Sequence, residues 1–318
     1  MTEFTPGRLG YGAANVGNLY RAITDADADQ ILGAAWDAGI RHFDTAPHYG
    51  LGLSERRLGA FLATKPRDEF TVSTKVGRLL RPNPNGHGQL DLDNDFMVPA
   101  DLKRVWDFSA DGIRRSLDES LERSGLDRFD VVYLHDPERH DLQGGLDRAI
   151  PALVGLREAG LVRRIGVGSM TTPALLACVQ TGVLDLIMIA GRYTLADQSA
   201  LTEVVPACRQ FGVAIVNASV FNSGLLATDH PGSDARYDYA DVPAELLARV
   251  QSIATVCRDF GVSLPAAALQ YSLRDRTVRS VVVGGSSPHQ VAQNAKRMTE
   301  VIPNELWQRL VEQKLIPA

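Results

Sequence analysis

Alternation constrains this chain most. Short runs rich in Val, Ile and Leu are separated by helix-like stretches, and the pattern repeats about eight times. The apolar runs are Leu9–Asn15, Ile40–Phe43, Glu69–Lys75, Asp130–Leu134, Arg164–Val167, Leu184–Ile189, Val213–Asn217 and Arg279–Val283. Most are apolar at successive positions, as parallel strands covered on both faces must be. Between them, Thr24 predicts a helix cap with Asp27 at its third position, and Ser54 predicts another for the helix to Leu62. Further helices are expected at Phe108–Ser124, Leu146–Ala159, Thr172–Gln180, Ala200–Phe211, Ala244–Phe260, Pro265–Leu273, Pro288–Met298 and Glu305–Lys314. Gly160, Gly212 and Gly261 stand where three of them should stop.

Eight strand–helix units in 318 residues predict one closed (β/α)8 TIM barrel, a single α/β domain over residues 1–318. The competing open doubly wound sheet should carry Gly-x-Gly-x-x-Gly after its first strand; the spacing in L-G-Y-G-A-A-N-V-G is wrong for that. A long segment after the third strand, Gly77–Trp106, holds three prolines, several glycines and a D-L-D-N-D run, and reads as a loop that is either functional or disordered.

The net charge of −5 favours neither nucleic acid nor an anionic membrane as partner. No apolar run approaches the roughly 20 residues that span a bilayer. The first ten residues lack a signal-peptide pattern, so a cytoplasmic location is expected. Cys178, Cys208 and Cys257 are widely spaced and form no metal-ligand pattern, which predicts buried, reduced thiols and no metal.

Ionisable groups gather at predicted strand ends. Asp44 ends the second strand, Lys75 the third and His135 the fourth; Tyr49 follows Asp44 by five residues. In a barrel all four face one mouth. A phenol beside an ammonium should have a depressed pKa, and a carboxylate keeps that ammonium charged and in place. An imidazole beside the phenol can bond a substrate oxygen. This is a proton relay built around a phenol. His48 and Asp136 flank it as supporting groups, whereas His42, on the strand itself, reads as structural.

The segments G-I-R-H-F-D-T-A-P-H-Y-G, the strand ending in Thr74-Lys75, and Y-L-H-D-P resemble the aldo-keto reductase superfamily over nearly the whole chain. The resemblance implies a catalytic tetrad of Asp44, Tyr49, Lys75 and His135. It also implies a nicotinamide dinucleotide bound in extended form without a Rossmann domain. The stretches K-V-G-R-L-L, V-W-D-F-S, A-G-R-Y-T-L-A-D-Q-S-A-L and F-N-S-G-L-L-A are similar to the NAD-dependent branch that oxidises aldoses of D-threo (L-fucose) type at C1. Enzymes oxidising pyridoxal or L-galactose are close to that branch. Expected alternatives are pyridoxal oxidation to its lactone, general aldehyde reduction, and a non-catalytic cofactor-sensing barrel.

Family members that prefer NADPH carry a Lys and an Arg for the 2′-phosphate, where this chain has Gly284 and Gln290, so NAD is expected over NADP. The resemblance places the cofactor against Ser169, Ser219, Phe221, Ser223, Gly284, Gly285, Ser286, Gln290 and Asn294. It departs at Gly168-Ser169, where Ser-Asn is usual, and at Ala218, where a stacking Tyr is usual. Ser287 joins the loop whose N–H groups precede a helix N-terminus. Asn18, Tyr20, Trp106 and Tyr193 suit a polyol pocket, since rings stack on sugar C–H faces and amides bond hydroxyls. No nucleic acid or membrane partner is expected, and the sequence leaves the oligomeric state open.

Overall fold

The computed structural model describes residues 7–238 and 240–318; the leader-peptide reading concerns residues that fall partly outside this range. In chain order the elements are β1 Leu9–Gly12, α1 Asp25–Asp37, β2 His42–Asp44, α2 Leu53–Leu62, β3 Thr71–Val76, β4 Arg78–Pro82, β5 Leu102–Trp106, α3 Ala110–Ser124 and β6 Val131–His135. Then come α4 Leu142–Gly144, a π-helical turn Gly145–Ala149, α5 Ile150–Glu158, β7 Arg164–Ser169, α6 Thr172–Val179, β8 Leu186–Ala190, α7 Val204–Phe211 and β9 Ala214–Ala218. The chain finishes with β10 Arg236–Tyr237, β11 Ala240–Asp241, α8 Ala244–Asp259, α9 Leu264–Gln270, β12 Val278–Val283, α10 Pro288–Met298 and α11 Asn304–Glu312.

Eight of the strands close on themselves in the order β1-β12-β9-β8-β7-β6-β3-β2, all parallel, as the alternation predicts. The barrel interior is packed. Tyr133, Met188, Val216 and Val282 share one buried cluster inside it, and Gly166 leaves room for the Tyr133 ring. A Cβ at Gly166 would lie 2.8 Å from that ring. His42 is also inside, fully buried, with Nδ1 3.4 Å from Ser280 Oγ; burial lowers its pKa to about 4, which fits the structural role expected for it. The larger core lies between strands and helices. Phe43, one residue on and facing the other way, stacks there on Trp36.

Several local expectations hold. Thr24 and Asp27 form a reciprocal capping box at α1. Gly212 takes the left-handed conformation after α7, at φ 69°. Ser54 is a correction. Gly52 occupies the N-cap position, and the Ser54 hydroxyl donates to the Ala13 carbonyl at 2.7 Å and bonds Thr45 at 2.8 Å. It ties the loop after β2 to β1 instead of capping a helix.

The long segment after β3 is also corrected. Its two ends pair as an antiparallel hairpin, β4 with β5, in the register Arg78↔Trp106 to Pro82↔Leu102. The intervening chain folds back through bridges Leu90↔Pro99 and Leu19↔Phe96. Leu51, Leu80, Phe96 and Val98 give this excursion its own small core against the barrel mouth. The predicted helix from Ala200 starts only at Val204, preceded by a 3-10 turn over Ser199–Leu201. A second hairpin, β10 with β11, follows β9 and has no counterpart in the expected elements.

Candidate active site

The parallel register sets the site. Asp44 and Lys75 end on adjacent strands, β2 and β3, and His135 ends β6, the next strand round. Their side chains emerge at the same, C-terminal mouth. Lys75 Nζ lies 2.5 Å from Asp44 Oδ2 and 3.0 Å from the Thr45 carbonyl; Ser73 Oγ donates to the other Asp44 oxygen at 2.7 Å. Both members of the ion pair are almost fully buried, at 2% and 3% exposure. Burial works against the Lys75 charge, but Asp44 and then Tyr49 outweigh it and carry the pKa up to about 12. The ammonium is therefore permanent at neutral pH.

Tyr49 sits on the loop between β2 and α2, its ring packed against Phe96 at 6.2 Å between centroids. Lys75 Nζ is 4.7 Å from the ring centroid. The His135 ring stands edge-on to Tyr49 at 6.0 Å. All four predicted side chains thus converge.

The expected depression of the phenol pKa is not the net result. Burial pushes Tyr49 above its ordinary value, and Asp44 adds to that; Lys75 pulls it down by less. Spacing along a sequence predicts the neighbour but not the dehydration around it. His135 is held well below the usual imidazole range, first by burial and then by Arg78 and Lys75, so it is a neutral ring. His48, whose ring centroid is 5.6 Å from that of His135, is neutral for the same reason, with Arg104 the largest charge acting on it.

A cavity of about 800 Å³ opens beside this cluster, lined by His48, Arg78, Arg104, Trp106 and Arg139 among others. Arg78 donates to Asp136 Oδ2 at 2.6 Å, with Trp106 stacked over its guanidinium at 4.3 Å. Arg104 forks onto Asp91 at 2.6 and 2.9 Å and donates to the His48 carbonyl at 2.7 Å. Neither arginine stood out in the sequence. The available signal was Arg78 standing three residues after Lys75, and Asp136 directly after His135.

The predicted substrate contacts divide. Trp106 lines the cavity and stacks on His140 at 5.3 Å. Tyr20 is 48% exposed and does not line the cavity. Asn18 is instead committed to structure: its amide donates to the Met97 carbonyl, and its oxygen accepts from Ile23 N and Arg57. Tyr193 is in the core, edge-on to Tyr271 with its hydroxyl toward Asp275 at 3.4 Å. Both are corrected from pocket residues to framework.

The residues expected to hold a dinucleotide lie along the remaining arc of the mouth, after β7, β9 and β12. Ser219 and Ser223 have left-handed backbones in the turns after β9, and Phe221 between them packs against the core. Gly284 and Gly285 follow β12. A Cβ at Gly284 would come within 2.4 Å of Asn15 Oδ1, so a side chain there requires the Asn15 amide to move. Tyr11 donates to the Gly285 carbonyl at 3.0 Å and fixes the loop from beneath. Ser287 caps α10, while Gln290 Oε1 accepts from Ser286 N and Oγ. Asn294 is nearly buried on the same helix, 3.4 Å from Arg297. This strip of hydroxyls, backbone amides and a helix N-terminus fits a dinucleotide. Ser169 fits less well, because its hydroxyl donates to Glu138 at 2.6 Å and accepts from Thr171 N. One cation also stands here that the sequence reading missed: Arg21 donates to the Ser286 carbonyl at 3.2 Å.

Among the described residues no group of three or more His, Cys, Asp or Glu could hold a metal ion, and no helix is long and apolar enough to cross a membrane. A second cavity, of about 900 Å³, lies at the opposite end of the barrel around Arg41, Arg67 and Arg128. Asp127 and Asp130 pair with Arg67 and Arg128, while Arg41 donates to the Trp36 and Ile40 carbonyls.

Comparison with known proteins agrees with this geometry. The model of the Aldo/keto reductase family matches residues 8–314. The chain is 61% identical to D-threo-aldose 1-dehydrogenase of a Pseudomonas species over 310 residues, covering 97% of this chain and 94% of that protein. It is 38% identical to pyridoxal 4-dehydrogenase of Microbacterium luteolum, covering 99% and 96%. Among solved structures, a glycerol dehydrogenase from Gluconobacter oxydans superposes with a TM-score of 0.76 at 20% identity, covering 98% and 93% of the two chains.

Proposed function

The chain belongs to the aldo/keto reductase family, whose cofactors are nicotinamide dinucleotides, and we propose that it oxidises a cyclic aldose at C1 to the lactone with NAD. The observation that carries this reading is the 61% identity, over nearly the whole of both chains, to an aldose 1-dehydrogenase. The four converging side chains support it independently.

Tyr49 takes the proton of the anomeric hydroxyl. Lys75, kept charged by Asp44, stabilises the phenolate that accepts that proton. His135, neutral, donates a hydrogen bond to the same oxygen. The C1–H electron pair leaves as hydride while the C1–O bond becomes a carbonyl, and the ring oxygen makes the product a lactone. The cofactor, when bound, would supply the hydride acceptor. Trp106 offers an aromatic face to sugar C–H groups.

The NAD preference rests on Gln290, an uncharged side chain beside Ser286 where a 2′-phosphate would need a cation. Arg21 keeps one cation near that loop, so the preference is a ratio between cofactors. The three buried, unpaired cysteines support a reducing, cytoplasmic setting.

The test follows NADH formation over a panel of aldoses, L-fucose included, together with pyridoxal. Turnover highest on aldoses of D-threo configuration is expected. Pyridoxal outrunning every sugar would replace the substrate. NADP matching NAD in kcat/KM would remove the cofactor assignment, and no turnover on any compound would leave only a cofactor-binding barrel.

A further inference from the structure

Asp136 directly follows His135, and its backbone is held in the left-handed region at φ 43° and ψ 59°. Such a conformation is costly for a residue other than glycine, although Asp and Asn bear it best. The surrounding structure imposes it. Asp136 N donates to the Gly168 carbonyl at 2.9 Å, in the strand next to β6. The turn swings the carboxylate back toward the mouth, where Asp136 Oδ2 lies 3.6 Å from His135 Nε2.

The carboxylate is itself clamped. Arg78 donates to the same oxygen at 2.6 Å, and the pair is 5% and 15% exposed. Trp106 covers the guanidinium on one face. Arg78 and Trp106 are directly paired residues at the base of the β4–β5 hairpin. The hairpin therefore sets where the carboxylate stands, and the carboxylate stands beside His135.

We propose that Asp136, clamped by Arg78, is a positioning residue that keeps the proton of neutral His135 on Nε2 and that ring edge facing the reacting oxygen. This rests on the reading of His135 as the donor to that oxygen. A neutral imidazole has one donor and one acceptor nitrogen. An anionic oxygen near Nε2 favours the tautomer that carries hydrogen there. The wrong tautomer would present a lone pair to the substrate oxygen, repelling the group it should bind. Burial matters because a low dielectric lets one nearby carboxylate bias the tautomers even at 3.6 Å.

Two readouts test this. The first is nitrogen NMR of isotope-labelled histidine in the full chain with NADH bound, which identifies the protonated ring nitrogen and needs no substrate. The native chain should show His135 protonated on Nε2, and Asp136→Gly, which suits the left-handed backbone, should shift the population toward Nδ1. The second is kinetics on the best substrate found. Asp136→Gly should lower kcat at least about tenfold with the Kd for NADH unchanged, and Asp136→Asn, which retains one oxygen, should fall between. Asp136→Gly strands the Arg78 charge, so a double variant with Arg78→Met removes both partners. It should regain thermal stability without regaining kcat. An unchanged His135 tautomer in Asp136→Gly, or native kcat in the double variant, would overturn the proposal. Failure of the sugar assignment alone would leave the NMR result standing.

Discussion

Lys75 Nζ and Asp44 Oδ2 are 2.5 Å apart at the base of the mouth, and neither side chain reaches bulk water. Removing one partner of such a pair leaves a buried charge uncompensated, at a cost of about 3–5 kcal/mol. Lys75→Met should lower the unfolding free energy by about that amount and abolish turnover. The double variant with Asp44→Asn should regain much of the stability, since no charge is then stranded, and stay inactive. Urea unfolding of the two variants and the native chain measures this. Equal stability of Lys75→Met and the native chain would mean that the pair is not closed in solution.

With Tyr49 as the proposed base, the pH dependence follows from its phenol. Oxidation needs its phenolate, and burial holds the phenol pKa above its ordinary value in the protein alone. Below that pKa the active fraction rises with pH, so kcat/KM should climb about tenfold per unit between about pH 7 and 9. His135 and His48, both held well below the imidazole range, should add no inflection near neutrality. A plateau already reached at pH 7 would contradict the assignment. Tyr49→Phe keeps the ring against Phe96 and should cost kcat about a hundredfold or more, with NADH binding retained.

In the proposed function, the lack of charge at Gln290 sets the cofactor preference. Gln290 is exposed near the start of α10, where its oxygen accepts from Ser286. Gln290→Arg should raise the NADP-to-NAD ratio of kcat/KM at least about tenfold, because one charge-assisted bond to a phosphate contributes about 1.5–3 kcal/mol. Arg21→Gln in that background should reverse part of the gain. An unchanged ratio would place the adenosine end elsewhere.

Gly59 bears on stability alone. It lies on α2 where that helix crosses α3, and an added Cβ would sit 1.9 Å from the Ser124 carbonyl oxygen. Backbone cannot rotate aside as a side chain does. Gly59→Ala should destabilise by about 1–3 kcal/mol or more, despite the better helix propensity of alanine. Calorimetry reads this directly, and a raised Tm would show that the two helices can separate at no cost.

The sequence by itself determined the eightfold alternation and the four groups that meet at the mouth, because both are written in local spacing. Apolar runs declare buried parallel strands, and a strand's last residues in a barrel can face only one mouth. Tertiary structure decided whatever depends on who lies next to whom. Asn18 and Tyr193 have the chemistry of sugar contacts, yet partners far along the chain, Met97 and Asp275, claim their polar atoms. Arg78 meets Asp136 across 58 positions only because the hairpin folds over the mouth. The phenol of Tyr49 moved opposite to expectation because dehydration is a property of everything packed around a group. Spacing carries periodicity and adjacency along the chain; burial and long-range pairing exist only once the chain has closed on itself.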